Sequence, residues 1–276
     1  MPDLIQKTET IANDFIVKQL IKEGPVTRIY LCTFEGIESV MRLDKPMARQ
    51  LGLNRAVEYD LLESIQFHGF SPQPLYSDPD EGILVCRYIK GEALSQADMH
   101  QTPILIEVAR ITRSIHKLEP VSGVSKLTHF LNHYEAQLSD HRLSPFLRSG
   151  MDLFAELSPE TTALKLCHND LNHSNFVSGN NLFILDWEYA SLNDPYFDLA
   201  TVIGYHQLSD SKIEEFINHY SQNSESIDIK KLDQWRQLTD YLCIFWLMML
   251  EKYATMSGKE KAWMIDLERR LSKKKG

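Results

Sequence analysis

Leu164-Lys-Leu-Cys-His-Asn-Asp-Leu-Asn-His-Ser-Asn-Phe-Val177, followed by Leu185-Asp-Trp-Glu-Tyr-Ala190 and Asp194-Pro-Tyr-Phe-Asp-Leu-Ala-Thr201, is the stretch on which the fold is read. A short apolar run, Leu164 to Cys167, delivers His168, Asn169 and Asp170, and Asn175 follows within one loop. Phe176-Val177 and Leu182 to Leu185 predict a β-hairpin turning at Ser178-Gly179-Asn180-Asn181, where Gly and Asn can take the φ > 0 positions. A hairpin sets the residues at its two ends side by side. Asn175 and Asp186 are therefore expected to share a hard cation, because Mg2+ takes oxygen ligands and is commonly held by one or two carboxylates plus nucleotide phosphates. Asp170 stands upstream, free to accept a proton from an incoming hydroxyl.

Asn175 follows Asp170 by five positions. In this the loop resembles that of protein kinases, where a catalytic Asp precedes a metal-binding Asn, and a metal-binding Asp follows a short strand pair. Taken together, His168-x-Asp170-x-x-x-x-Asn175, Leu185 to Ala190 and Asn193-Asp194-Pro195-x-Phe197-Asp198-Leu199-Ala200 resemble the choline/ethanolamine kinase family. That family belongs with the aminoglycoside phosphotransferases and thiamine kinases. Aminoglycoside kinases usually carry a Gly soon after the metal Asp, so Asp-Trp-Glu-Tyr-Ala is closer to the amino-alcohol and thiamine kinases. The resemblance implies an α+β, two-lobed protein-kinase-like fold, with a small β-rich N-terminal lobe and a larger, mostly helical C-terminal lobe. It further implies Mg2+-dependent transfer of the γ-phosphoryl group of ATP to a hydroxyl of a cationic alcohol, choline or ethanolamine foremost. Thiamine or an aminoglycoside is the alternative acceptor, and a nucleotide-binding protein without catalysis is the alternative of another class.

The same residues allow a rival chemistry. His168, Asp170 and His173 could ligate the metal of a phosphohydrolase, since His and carboxylate groups suit divalent transition metals. That reading leaves Asn175 and the Asp-Trp-Glu run unexplained. His168 is expected to support the loop by hydrogen bonds. Asp198 is expected to be a buried brace, because Pro195 opens an apolar run, Tyr196 to Ile203, with the look of a core helix. Glu188 stays open between a second metal contact and a solvated carboxylate.

The 276 residues suffice for one large domain or two modest lobes. A formal charge of −9, with acids spread over both halves, offers no basic stripe for nucleic acid. Cys32, Cys86, Cys167 and Cys243 are far apart in apolar runs and lack a Cys-x-x-Cys pair, which suits a reducing compartment. Met1 to Asp14 lacks the apolar core of a signal peptide, and Tyr241 to Leu250 is too short to span a bilayer. A cytoplasmic protein without membrane or nucleic-acid partners is expected. Lys273-Lys274-Lys275 reads as a frayed helix end, and nothing sets an oligomeric state.

Residues 1–89 read as the nucleotide-binding lobe and 90–276 as the catalytic and acceptor-binding lobe. Phe15 to Ile21, Arg28 to Phe34 and Glu38 to Leu43 predict strands, a helix is expected over Leu51 to Phe67, and Leu75-Tyr76 and Gly82 to Tyr88 complete a five-stranded sheet. In the first turn Gly24 and Thr27 are, on the resemblance, the candidates for covering phosphates; with a single Gly and with Pro25 removing a donor, the loop reads equally as a plain hairpin turn. Arg42 stands where protein kinases carry Lys, and choline kinases have Arg there. The resemblance pairs it with Glu58 and directs it to phosphate oxygens, which a guanidinium meets through several N–H groups. Backbone at Arg87, Tyr88 and Ile89 is the candidate adenine contact. Beyond Leu94 the chain reads as helices. Quaternary ammonium is held by aromatic faces with nearby acids; by residue type and by the resemblance, Trp187, Glu188, Tyr189, Tyr205 and Trp246 are the acceptor-binding candidates, with Tyr220, Tyr241 and Tyr253 behind them, while each aromatic taken singly reads as core.

Overall fold

The computed structural model of the protein describes residues 15–157, 164–222 and 226–273. Met1 to Asp14 and Lys274-Lys275, on which two expectations bear, lie outside these. Strands β1 (Phe15–Glu23), β2 (Thr27–Phe34), β3 (Ile37–Asp44), β4 (Pro74–Asp78) and β5 (Ile83–Arg87) form one antiparallel sheet in the order β1-β2-β3-β5-β4. Alternation decides what each face carries, since successive side chains leave a strand on opposite sides. Met41 and Leu43 pair with Val85 and Ile83 and, with Cys32 and Phe34, form a small core on one face. Val40 and Arg42 pair with Cys86 and Leu84 on the other face, where helix α1 (Arg55–Ile65) packs.

The predicted helix over Leu51 to Phe67 is shorter at both ends. Asn54 takes an extended conformation and its side chain accepts from Val57 N–H, which starts the helix at Arg55. Glu58 shares the inward stripe with Leu61, Leu62 and Ile65, one turn apart, so the helix carries a carboxylate into the protein opposite Arg42.

The rest is mainly helical: α2 (Thr102–Ile115), α3 (Leu127–Leu138), α4 (Ser144–Leu157), α5 (Tyr196–His206), α6 (Asp210–Ser221), α7 (Ile229–Tyr253) and α8 (Gly258–Lys273). The long α7 buries Leu232, Trp235, Leu238, Tyr241, Phe245 and Met249, and packs against α3, α4, α5 and α8. No helix among the described residues is long and apolar enough to cross a membrane.

Short strands mount the loops between the two parts. β7 (Lys165–Cys167) pairs with β10 (Ser191–Asn193), and β6 (Glu92–Ala93) joins the hairpin of β8 (Phe176–Ser178) and β9 (Leu182–Ile184). The hairpin is the expected one, but its turn differs. None of residues 178–181 has positive φ. Glycine is needed instead for close approach: a Cβ on Gly179 would lie 2.5 Å from Lys90 O, and one on Gly91 would lie 2.4 Å from Ser178 O.

Candidate active site

The upper wall of the cleft is an ionic cluster. Arg42 Nη1 donates to Glu58 Oε1 at 2.6 Å and Nη2 bonds Glu58 Oε2, a two-pronged pair buried beneath the sheet. Arg55, at the first turn of α1, adds a second guanidinium: Nε and Nη2 grip Asp44 at 2.7 Å each, and Nη1 reaches Glu58 at 3.1 Å and Glu188 at 2.7 Å. Although burial penalises the charged form, Arg42 and Arg55 hold the Glu58 carboxyl below its usual range. Arg55 and Asp44 were missed in the sequence. The available signal was Arg55 three positions before Glu58, one helical turn away.

The loop after β7 is held from below by Asp198 in α5, which is fully buried. Its carboxylate accepts from His168 N–H at 2.9 Å and Asn169 N–H at 2.7 Å, and Nε2 of His116 lies 3.1 Å from it. His116 Nδ1 in turn meets the Tyr220 hydroxyl at 2.8 Å. Asn169 sits at φ 64°, and its side chain bonds Tyr189 O, Ser191 Oγ and the Asn193 amide. His168 is also buried: Nε2 donates to Leu185 O at 2.9 Å, and Nδ1 accepts from Asp170 N–H at 3.2 Å. Burial pushes its pKa down against the pull of Asp198 and Asp170. With both ring nitrogens engaged, His168 has no lone pair for a metal, which removes the phosphohydrolase ligand set.

Asp170 thus projects from a braced loop. Its Oδ2 accepts from Asn175 Nδ2 at 2.8 Å and its Oδ1 from Asn172 Nδ2 at 2.9 Å. Asn175 Nδ2 also donates to Asp170 O at 2.9 Å, so the amide spends its nitrogen on Asp170 and keeps its oxygen for another partner. Leu185 N–H donates to Asn175 O at 2.7 Å, which sets Asp186 beside Asn175 across the hairpin base.

Asp186 adopts φ 64°, ψ 62°, a left-handed conformation that costs energy in a residue with Cβ. Its side chain keeps 43% of its exposure and lies 3.5 Å from Arg42 Nη1. Partial desolvation, then Glu188, push its carboxyl above the usual range, with Glu58 and Asp170 adding to this and Arg42 opposing. A carboxylate in such surplus negative charge, beside an amide oxygen, is the donor set of a hard divalent cation. Asp186 and Asn175 fit Mg2+.

Other expected site residues fall elsewhere. Gly24 N–H is spent on Thr27 O at 2.9 Å and Lys45 Nζ covers Gly24 O at 2.9 Å, so the pair closes a hairpin turn in which Gly24 has no N–H left for phosphate. Arg87 N–H bonds Gln73 O and Tyr88 N–H bonds Glu38 O, both at 2.9 Å, leaving Ile89 as the N–H of that trio for a nucleobase. Trp187 is core: it is 1% exposed, its Nε1 donates to Ile184 O at 3.0 Å, and its ring lies on His168 and Phe70. Glu188 is neither solvated nor directed to an acceptor, because Arg55 and Arg42 engage its carboxylate.

Tyr241 is buried against Phe245, Tyr253 bonds Gln137 and Tyr220 bonds His116. Tyr189, Tyr205 and Trp246 remain half-open, and Trp263 of α8 joins them, 6.4 Å from Trp246 and 6.5 Å from Tyr205 between ring centroids. Tyr189 O accepts from Asn169 Nδ2 at 2.7 Å and the Tyr205 ring lies 5.8 Å from that of His173, so both residues border the Asp170 loop; burial first, and among other charges that of Asp170, push both hydroxyls upward. The Tyr189 hydroxyl is buried beside the Trp246 indole without a well-formed hydrogen bond. Trp263 escaped the sequence reading, although a Trp in a highly charged helix was a signal.

A family model described as choline/ethanolamine kinase matches residues 19–204. Protein LicA of Haemophilus influenzae is 29% identical over 248 residues, covering 83% of this chain and 91% of its own. The crystal structure of choline kinase LicA from Streptococcus pneumoniae superposes with a TM-score of 0.80 at 22% identity, covering 99% of this chain and 98% of that one. Spectinomycin phosphotransferase, in complex with ADP and spectinomycin, gives a TM-score of 0.63 at 13% identity over 96% of this chain and 93% of its own. The structural likenesses show the two-lobed kinase-like fold.

Proposed function

Because the chain belongs to the choline/ethanolamine kinase family, we propose that it transfers the γ-phosphoryl group of ATP to the hydroxyl of a small cationic alcohol, choline or ethanolamine. The observation that carries this is the meeting, in one cleft, of Asp170 held by two amides, the exposed carboxylate of Asp186 and the Arg42 guanidinium. Residues up to 89 make the nucleotide lobe and those beyond it the catalytic lobe.

Asp170 accepts the proton of the attacking hydroxyl as its oxygen bonds to the γ-phosphorus, and the bond to the β–γ bridging oxygen breaks, leaving ADP. Asp186 and the Asn175 oxygen would hold Mg2+, which supplies charge neutralisation on the phosphates. Arg42, kept in place by Glu58, grips phosphate oxygens. His168 and Asp198 keep the loop rigid, so positioning is supplied before substrate arrives. Ile89 offers its N–H to the base.

The half-open rings of Tyr189, Tyr205, Trp246 and Trp263 near Asp170 support a cationic acceptor, since π faces attract ammonium and Asp170 adds negative charge. The test is Mg2+-dependent ATP consumption with choline, ethanolamine, thiamine or kanamycin, with Asp170→Asn as control. Turnover with choline or ethanolamine, lost in the control, is expected. Turnover with thiamine or kanamycin alone would replace the acceptor, and ATP binding without any turnover would replace the reaction.

A further inference from the structure

The transfer chemistry makes no use of Arg55, yet this side chain joins acids from both walls of the cleft. Two of its nitrogens are fixed on Asp44 at the end of β3, which aims the third, Nη1, at Glu188 at 2.7 Å. Glu188 lies two residues after Asp186, on the single turn Trp187–Tyr189. Arg42 cannot hold Glu188 by itself. Its Nη1 already bonds Glu58 at 2.6 Å and stands 3.5 Å from both Asp186 and Glu188.

The cluster therefore sets Arg42 and Arg55 against Asp44, Glu58, Asp186 and Glu188, with negative charge in excess. Asp44, Glu58 and Glu188 are almost completely buried, whereas Asp186 is 43% exposed. Of these four acids, Asp186 is the one with no close guanidinium partner and the one that keeps its exposure. Only a forked, planar cation could grip Asp44 and still reach Glu188; an ammonium offers a single point.

We propose that Arg55 is a positioning residue that holds Glu188 off the divalent cation, so that the cation meets the carboxylate of Asp186 with the Asn175 amide and no second acid. The inference rests on the reading of Asp186 as a metal residue. Divalent-cation affinity follows the number and charge of the ligands. A released Glu188 would tighten binding of the bare ion, while its extra negative charge would repel the triphosphate that must share it.

The experiment measures Mn2+ binding without nucleotide, by electron paramagnetic resonance of the free ion, in the wild type, E188Q, R55K, R55Q and R55Q/E188Q. E188Q keeps the shape and an acceptor for Arg55, and it is expected to bind Mn2+ as the wild type does, within about twofold. R55K and R55Q are expected to tighten Mn2+ binding on the order of tenfold through the additional carboxylate, and R55Q/E188Q to return to the wild-type value. The same two Arg55 variants should raise KM for the Mg2+–ATP complex. Weaker Mn2+ binding in E188Q would overturn the proposal, because Glu188 would then already be a ligand. Unchanged affinity in folded R55K and R55Q would overturn it as well. Should the Arg55 variants not fold, the E188Q arm decides alone. D186N separates the two levels: Mn2+ binding that survives it sinks the metal reading of Asp186, whatever the Arg55 arms show.

Discussion

The side-chain amide of Asn175 donates to the carboxylate of Asp170 across 2.8 Å. One nitrogen thereby orients the proposed base, while the oxygen of the same amide is left for the cation. The two residues are expected to work as a unit. Asp170→Asn and Asn175→Ala should each lower kcat by about 10²- to 10⁴-fold, the usual worth of a positioned base. The double variant should fall far short of the product of the two losses. Full additivity in a steady-state assay would show that they act separately.

Asp198 is the structural debt of the loop. Replacing it by Ala strands two buried backbone donors, His168 N–H and Asn169 N–H, together with the His116 ring. A loss of about 3 kcal/mol in urea unfolding is expected. A loss under about 1 kcal/mol would mean that water replaces the carboxylate.

His206 gives the fold a pH dependence. It is fully buried, and burial pushes its pKa from 6.5 to about 4, with neighbouring histidines assisting and its bond to Val202 O opposing. The unfolded chain therefore takes up this proton first. Stability from this residue is complete above pH 6.5 and is lost as pH falls toward 4, by at most about 3 kcal/mol. In His206→Gln the slope of stability against pH over that window should flatten, as read from denaturant midpoints at several pH values.

Trp246 and Trp263 are expected to govern acceptor affinity. Changing either to Leu should raise KM for a trimethylammonium alcohol by roughly 3- to 30-fold, the equivalent of about 0.5–2 kcal/mol of cation–π attraction, with kcat little altered. The KM of a primary-amine alcohol should move less. Equal effects on both acceptors would point to loss of shape alone.

Sequence order and alternation carry much of this architecture. Strand β3 pairs with β5 and alternates with period two, so Arg42 has to face α1, and the helical stripe of Leu61, Leu62 and Ile65 has to bring Glu58 with it. The hairpin likewise follows from two apolar runs around a polar turn. Asp-Trp-Glu-Tyr was the opposite case. In sequence it reads as one block beside the acceptor, but it folds into a single 3-10 turn in which successive side chains diverge by about 120°. Trp187 enters the core, Glu188 goes to Arg55 and Tyr189 stays at the cleft. Gly24 left two readings open for a related reason, since one glycine does not disclose whether its N–H is spent inside its own turn. Arg55 showed only its local partner, Glu58 one turn on; its contact with Glu188, 133 positions away, was hidden.

The close approach of Gly91 and Gly179 has a mechanical consequence. Ala93 pairs with Val177 and Leu94 N–H donates to Phe176 O at 3.0 Å, so the chain leaving the five-stranded sheet is riveted to the strand that begins one residue after Asn175. The span Tyr88–Gly91 between sheet and rivet then serves as the fulcrum of any swing of the sheet. Such a lever is geared: travel that is wide at the mouth of the cleft becomes small next to Asn175.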